Sequence, residues 1–330
     1  GMSGLLPWQA ADWAQLRAQF DRLPHAILLT GATGTGKEHF AQYLVQALLC
    51  EAPAADHTPC GRCEGCRWLA QGTHPDFRHL TPLVEEVEGK AAVRKLEVIK
   101  IDAVRAVIEF AFLSSHRAGR RVVLVEPAEA MNLNAANALL KVLEEPPADV
   151  VFILVTHARD KLLPTIKSRC RQMLLSPPGR EEALQFLHTR GMADAEALLA
   201  FHSGAPLFEP APEQDALRRE LLELLAAPRL LGILDYAAAF DKQKWPLAVF
   251  LDWLHKWLLD IGLSARQMPP LYYPAHASAL HKVAAQTDAA ALFALLGRLS
   301  ALAPYGHHTL NVKMQLERIL IDYLTFWQNK

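Results

Sequence analysis

Gly31-Ala32-Thr33-Gly34-Thr35-Gly36-Lys37-Glu38 follows the spacing of a phosphate-binding loop, GxxxxGK, and then breaks it. In a working loop the glycines let backbone N–H groups curl around phosphates. The lysine reaches the β- and γ-phosphates, and a Ser or Thr hydroxyl holds Mg2+. Here Glu38 stands where that hydroxyl belongs. Its carboxylate repels phosphate and could neutralise Lys37, although it could in principle ligate a metal. Gly31, Gly34, Gly36 and Lys37 are thus candidate nucleotide ligands with weak or no affinity expected. The alternative is a loop that survives only as a tight strand-to-helix turn.

The other half of an ATP site lies at the end of a neighbouring strand, where an Asp handles Mg2+ and a Glu polarises the attacking water. This chain reads Val122-Val123-Leu124-Val125-Glu126-Pro127. Glu126 takes the metal-side position, but Pro127 takes that of the base and has no acid–base group. Two independent losses argue against ATP hydrolysis more strongly than either alone.

Four of the five cysteines fall in one short segment, Cys50–x9–Cys60–x2–Cys63–x2–Cys66. Tight CxxC turns supply adjacent thiolates, and four thiolates satisfy tetrahedral Zn2+ with no open position for chemistry. A structural zinc site is expected; unligated thiols are the alternative. His74, in Gly72-Thr73-His74-Pro75-Asp76, reads as a turn residue before a ligand. A third group is Arg169, in Ser168-Arg169-Cys170. An arginine at the edge of a P-loop domain can stabilise charge on a phosphate in a neighbour's site, but spacing alone makes this a weak assignment.

These groups need a scaffold. Residues 25–30 form an apolar run ahead of the glycine loop, and Phe40, Tyr43, Leu44, Ala47 and Leu48 follow it at helical spacing. Residues 121–125 and 150–155 are β-branched runs of the kind buried on both faces of a parallel sheet. Residues 77–80 could add a strand. Helices are expected over 99–113 and 134–145, a loop-rich insertion over 51–76, and a charged mobile loop over 82–96. The alternation implies an α/β domain with a parallel sheet to about residue 175. Short helices follow at 179–203, then a linker marked by Pro206, Pro210 and Pro212. Beyond it, Leu247, Phe250, Leu251, Leu254, Leu258 and Ile261 share one helix face, as do Leu316, Ile319, Leu320, Tyr323 and Trp327. Such stripes suit an internal core first and an interface second.

The 330 residues suggest two or three domains. A formal net charge of −1 speaks against charge-driven DNA binding, so a DNA-binding zinc protein is disfavoured. The start, GMSGLLPWQAADW, lacks a basic stretch leading into an apolar run, and Gly1 reads as an addition ahead of Met2. Residues 245–262 are too polar to span a membrane. A cytoplasmic location without membrane contact is expected.

Taken together, Gly31–Lys37, the four cysteines, residues 72–76, the stretch Asn137-Ala138-Leu139-Leu140-Lys141-Val142-Leu143-Glu144-Glu145-Pro146-Pro147 and Ser168-Arg169-Cys170 resemble the bacterial DNA polymerase III clamp-loader family. The resemblance covers about residues 25–175. The departures at Glu38 and Pro127, and less securely Leu207 near a phosphate-sensing arginine, are those of its delta-prime branch, which does not turn over ATP. The resemblance implies an AAA+ fold: a P-loop domain over 2–166 carrying the cysteine module at 50–66, a small helical lid over 167–208, and an all-α collar over 209–330. It implies gamma/tau motor subunits and a delta subunit as partners in a pentameric ring, and indirectly the sliding clamp and primer-template DNA. It gives Arg169 a role in trans on the adjacent motor's ATP, with Ser168 and Cys170 packing around it. The segment from Leu139 to Pro147 is scaffold on this view, with a minor DNA role for Lys141 left open. A motor-type, ATP-hydrolysing subunit is the competing reading, and Pro127 is the residue that argues against it.

Overall fold

The computed structural model describes residues 4–88, 93–113, 119–307 and 311–328. Its elements run α1 (Ala10–Arg17), β1 (Ala26–Thr30), α2 (Lys37–Leu49), α3 (Glu64–Gln71), β2 (Phe77–Leu80), β3 (Leu83–Glu88), β4 (Val93–Val98), α4 (Ile101–Ala111), β5 (Arg121–Val125), α5 (Leu133–Glu144), β6 (Val150–Val155), α6 (Pro164–Arg169) and β7 (Arg171–Leu174). Helices follow: α7 (Arg180–Thr189), α8 (Ala195–Phe201), α9 (Pro212–Ala226), α10 (Leu230–Lys242), α11 (Leu247–Ala265), α12 (Ala277–Ala285), α13 (Ala289–Leu302) and α14 (Val312–Gln328). The chain divides into two compact units, residues 1–86 with 95–183, and 87–94 with 184–330.

In the first unit the order β2-β5-β6-β1-β7 makes a five-stranded sheet, and every neighbouring pair is parallel. Successive side chains on a strand face opposite sides, and both sides are covered. Ala26, Leu28, Val123, Val125, Phe152 and Leu154 pack with Val104, Leu139, Val142 and Ile166 from α4, α5 and α6. Ile27, Leu29, Val122, Leu124, Ile153 and Val155 pack with Trp13, Phe40, Leu44 and Leu48 from α1 and α2. That double burial explains why β1, β5 and β6, apart from Thr30 and Arg121 at their ends, are apolar rather than alternating.

Two details depart from expectation. The stretch 82–96 contains no simple loop: β3 and β4 form a separate two-stranded sheet, and residues 89–92 lie outside those described. Val84, Val87, Val93 and Val98 supply the β-branched residues that favour strands, interleaved with charges that obscure them in the sequence. The insertion at 51–76 also contains a helix, α3. It starts on Cys63, whose sulfur accepts the N–H of Cys66, and stops at Gly72.

The second unit is helical and built around Trp257, Phe240, Phe250 and Tyr323. Trp257 Nε1 donates to the Tyr323 hydroxyl (3.2 Å), which donates to the Leu225 carbonyl (2.6 Å). The stripes on α11 and α14 turn inward: Leu247, Phe250, Leu254, Leu258, Ile261, Leu316, Ile319 and Leu320 are all buried. Asp260, fully buried, accepts backbone N–H groups from Leu271, Tyr272 and Tyr273, satisfying a carboxylate that burial would otherwise penalise. No helix among the described residues is long and apolar enough to cross a membrane.

Candidate functional site: a cysteine cluster and a braced glycine loop

β1 ends at Thr30, and the chain turns through Gly31–Gly36 into α2. Gly36, the residue before the helix, has φ 96°, a left-handed conformation that favours glycine. The loop thus has the strand–turn–helix form a phosphate site requires. Its lysine, however, is turned inward. Lys37 is 1% exposed, and its Nζ donates to the carbonyls of Gly31 (2.5 Å) and Ala32 (3.1 Å). Burial lowers its pKa, opposed by the charges of Glu38 and Glu129. The N-terminal segment holds the loop from outside: Trp8 Nε1 donates to the Thr35 carbonyl (2.9 Å) and Gln9 Nε2 to the Gly36 carbonyl (2.8 Å).

Glu38, in the first turn of α2, pairs with His157 Nε2 at 2.9 Å. The hydrogen bond from His157 is the main reason its pKa is lowered, so it stays ionised. Beyond β5, Glu129 accepts the Thr156 hydroxyl (2.6 Å) and the His157 backbone N–H (3.0 Å). The loop therefore sits beside two carboxylates, an environment that disfavours polyphosphate. Glu126 lies at the expected strand end, with His79 Nε2 3.4 Å from its carboxylate. Pro127 follows directly. Glu129 and the tethers from Trp8 and Gln9 have no signature in the sequence, because no local spacing links residues that meet across 27 positions.

The cysteines converge. The sulfurs of Cys50, Cys60, Cys63 and Cys66 all lie within 4.8 Å of one another, and Cys50 and Cys63 are 3.9 Å apart. Tetrahedral Zn2+ with Zn–S bonds of about 2.3 Å places its sulfurs roughly 3.8 Å apart, so the donor set fits this ion. Backbone N–H groups point at the sulfurs: Arg62 and Cys63 at Cys60, Cys66 and Glu51 at Cys63, and Cys60 at Cys50. Those of Arg62 and Cys63 lower the Cys60 pKa to about 6, whereas burial raises Cys66 to about 12. A Cβ at Gly65 would meet the Leu49 carbonyl at 2.7 Å, so only glycine lets α3 approach the end of α2 this closely. The segment between Cys50 and Cys60 packs back on the core: His57 stacks on Phe20, and Arg17 pairs with Asp56 at 3.3 Å. His74 is buried outside the cluster, its Nδ1 accepting the Asp76 N–H at 3.0 Å, which is the turn role expected of it.

Arg169 ends α6, exposed, with no side-chain hydrogen bond or ion pair among the described residues. Ser168 Oγ donates to the Thr165 carbonyl, and Cys170 is buried, which raises its pKa to about 12. Lys141 is exposed on α5, which stops at Glu144 before the two prolines. Leu207 lies in the linker of the second unit.

A parallel sheet with a glycine loop feeding α2, joined to a four-cysteine cluster, defines a P-loop type protein in which Glu38 follows the loop lysine and Pro127 follows the strand-end Glu126. The sequence pattern described as "DNA polymerase III, delta subunit" matches residues 9–179, just over half of the chain. The delta-prime subunit of Pseudomonas aeruginosa DNA polymerase III is 41% identical over 79% of this chain and 78% of that protein. The Escherichia coli delta-prime subunit is 38% identical over 59% and 55%. The Escherichia coli tau subunit is 36% identical, over 47% of this chain and 22% of its own length. The chain belongs to the DNA polymerase III delta-prime subunit family.

Proposed function

We propose that this chain is a non-hydrolysing subunit of a clamp loader, helping to place a sliding clamp on primed DNA during replication. Its partners are gamma/tau-type motor subunits and a delta subunit in a pentameric ring, and it supplies Arg169 in trans to a motor's ATP. Arg169 carries this reading: an exposed guanidinium with no partner among the described residues, at the edge of a P-loop unit whose own loop is held by Lys37 and flanked by Glu38 and Glu129. Stabilising charge on a transferring phosphate by such an arginine is worth about 10³–10⁵ in rate. The cysteine cluster holds one structural Zn2+, and the helical unit serves as the collar.

Arg169→Ala, reconstituted with its motor partners, should lower ATP turnover by about 10³-fold while the assembly still forms. Unchanged turnover rejects the role. A motor-type reading has the intact glycine spacing in its favour, and steady hydrolysis by the isolated chain, abolished by Lys37→Ala, would establish it instead.

A further inference from the structure

Three strand-end segments that a bound nucleotide and its metal ordinarily tie together are here tied by side chains. Glu38 on α2 reaches His157 just beyond β6 (2.9 Å), and Glu129 just beyond β5 holds the Thr156 hydroxyl (2.6 Å) and the His157 N–H (3.0 Å). Thr156 Oγ1 also accepts the N–H of Ala158 (3.1 Å), fixing the first turn of the connector that leaves the sheet. That connector leads into α6. It is pinned further along by Arg159 Nε donating to Gln172 Oε1 (2.7 Å), by Gln172 Nε2 donating to the Lys167 carbonyl (3.4 Å), and by the buried side chains of Leu162 and Ile166. Arg169 is the exposed end of this braced segment.

The geometry points to Glu38, Glu129 and His157 as positioning residues for Arg169: an internal brace that fixes the 156–169 segment without nucleotide. The inference rests on the trans-acting reading of Arg169. Its physical basis is the steepness of phosphoryl-transfer catalysis with geometry, where a misplacement of 1 Å costs about 100-fold. A motor subunit can set the same segment by binding ATP. A subunit whose loop has a buried lysine and two carboxylates beside it needs another tie, and this brace is built from those carboxylates.

The test is a double-mutant cycle in the reconstituted assembly, with turnover measured per co-eluting complex. Glu129→Ala should lower kcat by about 10-fold, less than a full 1 Å misplacement, with the KM for ATP unchanged. Combined with Arg169→Ala it should add nothing, because it acts only through that side chain. Glu38→Ala, at a part-exposed helix position, is the arm least able to disturb folding and should show the same direction and the same non-additivity. A kcat unchanged by both brace variants while Arg169→Ala is slow overturns the brace alone. So does a loss that multiplies with that of Arg169→Ala, which marks a general structural defect. If Arg169→Ala itself has no effect, the trans-acting reading fails and the brace falls with it.

Discussion

Within the first unit, the cysteine cluster and the glycine loop both have the spacing of ligand sites, yet their groups are arranged oppositely. The four sulfurs are the same kind of donor and face one another within 4.8 Å, and those of Cys50, Cys60 and Cys63 receive backbone N–H groups. Four like donors converging at this spacing are the donor set of a soft cation. In the glycine loop the cation is already satisfied: Lys37 faces its own loop carbonyls, and Glu38 faces His157. A ligand site is thus recognised by convergent groups of one donor type, and spacing alone does not separate it from a loop whose groups answer each other.

The largest effect that would break this contrast is on metal. Freshly prepared protein should hold one equivalent of zinc, and Cys60→Ser with Cys63→Ser should hold none. Structural zinc sites contribute about 10 kcal/mol or more of binding free energy in small peptides. The module here rests on a core that does not depend on it, so a loss of about 3 kcal/mol in unfolding free energy is expected, read by denaturant titration. Wild-type stability without zinc would place the cluster with ordinary thiols. Next, Lys37→Ala should destabilise by about 1–3 kcal/mol, because buried loop carbonyls lose their donor; a neutral thermal shift would show the lysine to be a bystander. Trp8→Phe removes the donor to Thr35 together with part of a buried ring and should cost about 1–2 kcal/mol. The smallest effect is on pH. The Glu38 pKa is lowered in the folded chain, chiefly by His157. Its contribution is therefore present above the unfolded carboxylate pKa and is lost as pH falls through the folded one. Glu38→Gln should flatten that acid limb slightly, as suits a group that is 41% exposed. A variant as acid-sensitive as wild type would remove the pair from the brace.

The strands β1, β5 and β6 were legible because burial on both faces leaves their interiors apolar and rich in β-branched residues. The cysteine cluster was legible because its ligands are close in sequence. β3 and β4 were hidden by charge, and β7 by its polar start, Arg171-Gln172; as an edge strand it has one paired side and exposed residues. Glu126 sits at the strand end expected of it, and its neighbour there, His79 on β2, is one that only the sheet order reveals. Glu129 carries no signal at all: its meaning comes from β6 lying next to β5, which puts Thr156 and His157 within reach.

The contrast between the two sites is tested most directly by titrating the isolated, zinc-loaded protein with Mg-ATP in a calorimeter. The account predicts one equivalent of zinc and no saturable nucleotide binding in the same sample. Saturable, tight binding abolished by Lys37→Ala would show that the glycine loop opens to phosphate, and would contradict it.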